Sequence, residues 1–402
     1  MLLLFPSSTQ ARRRQGPRGR YDVPLLLAAI ALASFGVVMV ASSSIAVAAG
    51  QHLGPFYYLQ RHLVFLGMGI ALAVFAARLE LRFVEKHHLL WMLVGIVLLL
   101  AVFLPFFGMR INGARRWINL VVTSFQPVEA VKLIVIVYLA SYLVRHRDGV
   151  ERKLFGVIKP VGVALFIAAL LLAQPDFGSA ALVIAVTVGM IWLGGARMRN
   201  LLLLGAPLVP IAAWIALSQD YRIKRLTSFL DPWKDPFNDG FQLTQALIAI
   251  GRGEWTGVGL GASVQKLFYL PEAHTDFILA VIGEELGLLG ILAVLVLFGI
   301  LVGRGLLIGL KGVELGQRFA GYVAFGISLM IGLQALVSIG VNLGVLPTKG
   351  LTLPLISSGG SSVLMTCAMI GVLLRATYEI NRAEDARRMA VRANGAVAEV
   401  DA

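Results

Sequence analysis

Long runs of apolar residues, separated by short polar segments, make up most of the chain between residues 23 and 379. A helix needs about 20 apolar residues to cross a bilayer, and most of the runs approach this length. Membrane strands would instead alternate over roughly ten residues and close into a barrel. The pattern therefore predicts an all-α polytopic membrane protein with about ten transmembrane helices. These helices are expected near residues 23–47, 62–77, 89–107, 127–144, 160–174, 178–193, 201–217, 277–300, 320–342 and 363–379.

The composition agrees with this fold class. Hydrophobic residues account for 58% of the 402 positions and charged residues for 14%, and the mean hydropathy is +0.83. The net charge of +13 does not predict a nucleic-acid partner, because Lys and Arg in a membrane protein set topology and meet anionic lipid. The single cysteine, Cys367, excludes an intrachain disulfide and a thiolate metal cluster.

The distribution of Lys and Arg predicts that both termini are cytoplasmic, since cytoplasmic segments carry an excess of positive charge. We therefore expect a basic cytoplasmic tail at residues 1–22, a transmembrane domain at residues 23–380 and a cytoplasmic C-terminal tail at residues 381–402. We expect residues 218–276 to form a large outer loop between the seventh and eighth helices, long enough to contain short helices of its own.

The first candidate for chemistry is Asp276, which stands where an apolar helix begins near the outer interface. A helix N-cap explains an aspartate at this position about equally well. Glu272, His274 and the outer cations favour a functional role, because a carboxylate beside bound phosphates can accept a proton from a sugar hydroxyl.

Cations on the outer side form a second set of candidates. Arg115 and Arg116 follow Asn112-Gly113 in an outer loop, and guanidinium groups suit bidentate phosphate contacts, although they also anchor proteins to lipid headgroups. Glu129 and Lys132 stand three residues apart on one helix, which fits a substrate contact or a structural ion pair.

The loop at residues 347–362 is rich in small residues and contains Lys349, Ser357 and Ser358. Exposed backbone and hydroxyl donors in such a loop could bind an anion, and a tight outer turn is the alternative. Glu284 and Glu285 lie within the helix that follows Asp276, and we expect one of them to face the protein interior, because carboxylates are costly in lipid.

Taken in order, these segments resemble the SEDS family of glycosyltransferases, named for shape, elongation, division and sporulation, over nearly the whole chain. The amino-acid sequences of residues 268–277 and 347–354 are similar to those of the division branch of that family. The segments that carry the resemblance are residues 112–118, Gln126-Pro127-Val128-Glu129 with Lys132, Gln174-Pro175-Asp176-Phe177-Gly178, residues 269–287 and residues 342–362.

The resemblance implies a peptidoglycan polymerase that joins lipid II, an undecaprenyl-pyrophosphate-linked disaccharide pentapeptide, into glycan strands. Asp276 matches the family's essential aspartate, which implies that it activates the acceptor 4-hydroxyl while undecaprenyl pyrophosphate leaves. Arg116, Lys132 and Lys349 would then neutralise the leaving group, with a divalent cation, Mg or Mn, as a further candidate. Phe268 stands where some relatives carry a carboxylate, so no metal ligand is assigned.

The resemblance also implies a location and partners. It places the chain in the bacterial inner membrane at the division septum, with the active site on the outer face. Its implied partners are a class B penicillin-binding protein transpeptidase of the FtsI type and the FtsQ, FtsL and FtsB complex.

Two functions of other classes stay open: a lipid II flippase and a non-catalytic scaffold of the division machinery. A flippase would place charges near the bilayer midplane on interrupted helices. A scaffold would not need the carboxylate of Asp276.

Overall fold

The computed structural model describes residues 19–111, 114–119, 123–207, 209–210, 214, 217, 223, 227–238, 240–267, 269–347 and 350–400. Within these ranges the chain is mainly helical. Its helices are α1 Val23–Gly50, α2 Tyr57–Arg78, α3 Leu81–Lys86, α4 His88–Ala101, α5 Pro127–Arg145, α6 Arg147–Arg152, α7 Leu154–Ala173, α8 Phe177–Leu193, α9 Met198–Gly205, α10 Phe241–Gly253, α11 Ile278–Glu314, α12 Arg318–Asn342 and α13 Gly360–Val400.

Seven of these helices are long and apolar enough to cross a membrane, namely α1, α2, α5, α7, α11, α12 and α13, and α4 and α8 are shorter apolar helices. The predicted helical membrane fold is therefore confirmed. The predicted helix at residues 201–217 overlaps the end of α9 and continues into residues outside the described ranges. The orientation of the termini stays a prediction, and α13 runs without interruption through the expected tail boundary at residue 380.

A small antiparallel sheet lies between α4 and α5, where the apolar pattern predicted only helix and loop. It consists of β1 Gly108–Ile111, β2 Ala114–Asn119 and β3 Ser124–Phe125, in that spatial order. The predicted helix at residues 89–107 was too long at its C-terminal end, because α4 ends at Ala101 and turns lead from there into β1.

The centre of the bundle is formed by α5 and α12. Within their apolar windows, 72% of α5 and 67% of α12 are buried, against 22% of α2, which faces outward over most of its length. The side chains of Ile136 and Leu139 on α5 and of Val323 and Ile327 on α12 belong to this buried core.

Four helix ends meet at one end of the bundle. The backbone N–H of Gln126, just before α5, donates to Oγ of Ser361 on α13 at 3.0 Å. The backbone N–H of Ala280 on α11 donates to Oδ1 of Asn342, the last residue of α12, at 3.1 Å. These contacts bring together the starts of α5, α11 and α13 and the end of α12.

Helix α11 is broken near its start. Gly287 has φ 64° and ψ −161°, outside the helical region, so residues 278–286 form a separate half-helix ahead of the longer remainder. Glycine tolerates this conformation without the steric penalty that a side chain would add.

Candidate functional site

Asp276 lies two residues before α11, and its backbone is tied to the end of α12. The side-chain nitrogen of Asn342 donates to the carbonyl of Asp276 at 2.9 Å. The N-cap residue of α11 is Phe277, so Asp276 is one position too early for the capping role considered above. A Cβ added to Gly350 would lie 3.1 Å from Oδ2 of Asp276. The backbone at Gly350, in the loop between α12 and α13, therefore lies directly against the carboxylate.

The serine-rich loop holds the segment that carries Asp276. Ser357 Oγ donates to the carbonyl of Thr275 at 2.6 Å and accepts from the backbone N–H of Leu353 at 2.8 Å. The backbone N–H of Ser358 donates to the carbonyl of His274 at 2.9 Å. The buried Ser357 hydroxyl and the Ser358 amide therefore hold residues 274–275, whereas the sequence favoured contacts with substrate.

His274 is buried beside Asp276, and its ring centroid lies 4.8 Å from that of Tyr58 on α2. Burial lowers the pKa of His274, and the nearby Glu272 carboxylate opposes that shift without reversing it. Among the described residues, Nδ1 of His274 has no hydrogen-bond partner. The imidazole therefore keeps one buried ring nitrogen that the described protein does not satisfy.

Glu129 and Lys132 form the buried ion pair that the sequence left open as an alternative. Lys132 Nζ donates to Glu129 Oε1 at 2.7 Å and to Oε1 of Gln334 on α12 at 2.9 Å. Gln334 Nε2 donates in turn to the carbonyl of Thr352 at 3.0 Å. Lys132 has no exposed surface, so it contacts the loop over Asp276 through Gln334 and presents no ammonium group to a substrate.

The two arginines of β2 differ in their contacts. Arg116 donates from Nε to the carbonyl of Gln174 at 3.1 Å and from its guanidinium to the carbonyl of Pro175, so it fastens the sheet to the turn between α7 and α8. Arg115 Nε is buried and has no partner within the described part of the chain. Arg115 therefore keeps one buried donor that the described protein does not satisfy.

The turn between α7 and α8 lies beneath the same loop, since a Cβ added to Gly178 would lie 3.3 Å from Cγ of Leu351. Asp176 caps α8 by accepting from the backbone N–H of Ser179 at 3.1 Å. Loop 350–362 is thus the element around which the candidate segments assemble. Lys349, together with Asn112 and Gly113, lies outside the described residues.

Sequence reasoning missed Gln334 and Tyr58, and it expected only one inward glutamate. Gln334 could have been found as a polar residue within an apolar helix, whereas no sequence signal distinguished Tyr58. Glu284 and Glu285 are both fully buried, because both find partners in the protein.

The described residues bring together no group of three His, Cys, Asp or Glu side chains that could hold a metal ion. The donor set around Asp276 therefore does not form a ready-made cation site. We derive no chemical step through a divalent cation.

Comparisons with known proteins agree with one another. A family model for FtsW, RodA and SpoVE, described as cell cycle protein, matches residues 23–382. A probable peptidoglycan glycosyltransferase FtsW of Xanthomonas oryzae is 56% identical over 385 residues, which are 96% of this chain and 78% of that protein. A protein of the same name from Nitrosococcus halophilus is 50% identical over 91% of this chain and 95% of its own length.

Solved structures show the same similarity. A chain from a structure reported as "Structural coordination of polymerization and crosslinking by a peptidoglycan synthase complex" is 30% identical, with a TM-score of 0.72 over 90% of this chain and 98% of that one. The rod shape determining protein RodA of Thermus thermophilus is 28% identical, with a TM-score of 0.64 over 89% and 96% of the two chains.

Proposed function

The chain belongs to the FtsW/RodA/SpoVE family of cell cycle proteins, and from this membership we propose that it is a peptidoglycan glycosyltransferase that polymerises lipid II. The observation that carries the proposal is the Asp276 carboxylate, which lies against Gly350 on a segment held by Asn342 and Ser357. Support also comes from relatives named probable peptidoglycan glycosyltransferase, two of which are 56% and 50% identical to this chain over the matched residues.

In the proposed reaction, Asp276 accepts the proton of the acceptor sugar's 4-hydroxyl. The hydroxyl oxygen forms a bond to the anomeric carbon of the donor, while the bond from that carbon to the pyrophosphate breaks and undecaprenyl pyrophosphate leaves. One carboxylate suffices because pyrophosphate leaves without protonation. Hydrolysis of a glycoside, by contrast, needs a second, protonated carboxyl group to expel an alcohol.

We propose that Arg115 and Lys349 neutralise the negative charge of the departing pyrophosphate. Arg115 has a buried donor that no described residue satisfies, and Lys349 immediately precedes the glycine that touches Asp276. Lys132 acts at a distance, because its ammonium group is buried and engaged by Glu129 and Gln334. Arg116 commits its Nε and one terminal nitrogen to protein carbonyls and is a secondary contact. A neutral His274 completes the site as a hydrogen-bonding group.

We place the reaction on the outer face of the bacterial inner membrane at the division septum. The proposed partners are a class B penicillin-binding protein transpeptidase and the FtsQ, FtsL and FtsB complex. The FtsW name of the relatives supports the division assignment. The similarity to a chain reported in a peptidoglycan synthase complex supports a transpeptidase partner.

A lipid II flippase is the second candidate, because α11 is interrupted at Gly287 beside two buried glutamates. Interrupted helices with intramembrane charges are typical of transporters. Both carboxylates are already engaged by protein donors, however, which favours a structural role for them. The described structure offers no feature that specifically favours a scaffold.

The decisive experiment measures lipid II polymerisation by the purified chain, with and without its cognate transpeptidase. Asp276→Asn should reduce the rate about 100-fold or more, since a positioned general base contributes at least that much. Asp231→Asn, the same change at an exposed position of the same outer loop, should polymerise like the parent chain. A parent chain that makes no polymer even with its partner, or an Asp276→Asn variant that retains full activity, would refute the proposal.

A further inference from the structure

Residues 254–267, which we call the inserted loop, follow α10 and fill the break in α11. The backbone N–H groups of Val258 and Gly259 donate to the carbonyls of Glu284 and Glu285 at 2.9 and 3.0 Å. On the other side of the break, the N–H of Leu288 donates to the carbonyl of Glu254 at 2.9 Å. The inserted loop therefore satisfies backbone groups that the interrupted helix leaves unpaired, as a buried non-helical segment must.

Close packing against the break depends on glycine. A Cβ added to Gly257 would lie 2.1 Å from the carbonyl oxygen of Glu285, and one added to Gly253 would lie 1.8 Å from that of Gly283. Gly257 also has φ +81°, in the left-handed region. The inserted loop and the half-helix at residues 278–286 thus meet through their backbones.

Glu284 fixes the far part of the inserted loop. Its carboxylate accepts from Ser263 Oγ at 2.5 Å, from the backbone N–H of Val264 at 3.1 Å and from that of Gln265 at 3.3 Å. Arg252 at the end of α10 donates to the same carboxylate at 3.1 Å. A single buried side chain of the half-helix therefore fixes the path of residues 263–265.

Glu285 connects the half-helix to α1 through Lys266. Lys266 Nζ lies 2.6 Å from Glu285 Oε1 and 3.0 Å from Oγ of Ser42 on α1. The Ser42 hydroxyl also donates to Glu285 at 2.7 Å. All three side chains are buried, so α1, the inserted loop and the half-helix share one polar contact inside the bundle.

We infer that Glu284, Glu285 and Lys266 are positioning residues that hold the half-helix, and with it Asp276, in place for the transfer reaction. The inference rests on the proposed function. The break at Gly287 removes the rigid connection to the rest of α11, so the position of the half-helix depends on its other contacts. Apolar side chains would fill the same space without the cost of desolvating charged groups. What the polar contacts add is a defined direction and register between the half-helix and the inserted loop.

The test compares Lys266→Met and Glu285→Gln with Lys311→Met, which removes an ion pair of the same 2.6 Å length near the other end of α11. Hydrogen exchange of peptides covering residues 254–277, followed by mass spectrometry, reports how firmly the backbone hydrogen bonds of that segment are held, and it needs no activity. Lipid II polymerisation by the same samples then gives kcat and KM separately.

We expect both site variants to exchange about tenfold faster over residues 254–277 and to lose about tenfold or more in kcat, with KM within about twofold of the parent chain. Lys311→Met should leave all three quantities near the parent values. A charge swap, Lys266→Glu with Glu285→Lys, should recover exchange protection and kcat relative to the single variants.

Unchanged exchange in Lys266→Met and Glu285→Gln would overturn the inference, as would faster exchange with kcat equal to that of Lys311→Met. A parent chain that does not polymerise would refute the proposed function instead. The exchange data would still decide whether these residues hold the segment.

Discussion

Lys132 on α5 donates a 2.9 Å hydrogen bond to the side-chain oxygen of Gln334 on α12, across 202 positions of sequence. The same lysine pairs with Glu129, and Gln334 continues to the carbonyl of Thr352. The two central helices of the bundle are thereby connected to the loop that passes over Asp276. The ammonium group of Lys132, for which the sequence suggested a contact with substrate, is instead held between Glu129 and Gln334 beneath that loop.

Lys132→Met should destabilise the protein by about 3 to 5 kcal/mol, because it leaves the Glu129 carboxylate buried without its partner. Combining it with Glu129→Leu should restore more than half of that loss, since replacing a whole buried pair by apolar groups is often nearly neutral. Unfolding in a mild detergent, titrated with a denaturing one, measures both variants. A double variant as unstable as the single one would contradict this account of the ion pair.

Gly350→Ala should lower polymerisation several-fold while the protein stays folded, because the added Cβ would lie 3.1 Å from Oδ2 of Asp276 and crowd the carboxylate. Gly54→Ala is the matched control, since a Cβ there meets nothing within 4 Å. Initial rates on lipid II, normalised to folded protein, give the comparison. Equal rates for the two variants would show that the contact with Gly350 does not influence the carboxylate.

Arg115→Gln and Arg116→Gln should affect different properties of the protein. Loss of Arg115, whose Nε has no partner among the described residues, should raise KM for lipid II and change stability little. Loss of Arg116 removes the hydrogen bonds to Gln174 and Pro175 and should cost roughly 1 to 3 kcal/mol of stability. Kinetics and unfolding of the two purified variants separate the effects, and the reverse pattern would exchange the two assignments.

The stability of the chain should fall as pH falls below about 6.5, the ordinary pKa of histidine in an unfolded chain. Burial lowers the pKa of His274 in the folded state, despite the opposing Glu272 carboxylate, so the unfolded chain takes up a proton that the folded chain does not. Stability is thus unaffected above this range and is lost progressively until pH reaches the lowered folded pKa. His274→Asn should reduce the loss between pH 7.5 and pH 5.5, whereas His52→Asn, at an exposed position, should not. Equal pH dependence in both variants would contradict the assignment.

The sequence was sufficient for most of the long helices, because the apolar runs report directly on the solvent around them. It could not predict the sheet of β1 to β3, whose strands are short and pair through local backbone contacts. Asp276 stays a prediction from its position and its motif, and the structure places Ser357 and Ser358 against the backbone of residues 274–275 beside it. Their roles were not predictable, because the oxygens that they contact become neighbours only in the folded chain. For the same reason the sequence suggested Glu129 as a partner of Lys132 but could not supply the contacts of Lys132 with Gln334 or of Glu284 with Ser263.

The break at Gly287 also has a mechanical consequence. Membrane helices tilt when the bilayer becomes thinner, and a continuous helix would carry that tilt from one leaflet to the other. In this chain the long remainder of α11 can lean with the lipid while residues 278–286 stay fixed to α1, α12 and the loop beside them. We therefore expect the carboxylate of Asp276 to keep its position when the surrounding membrane changes thickness.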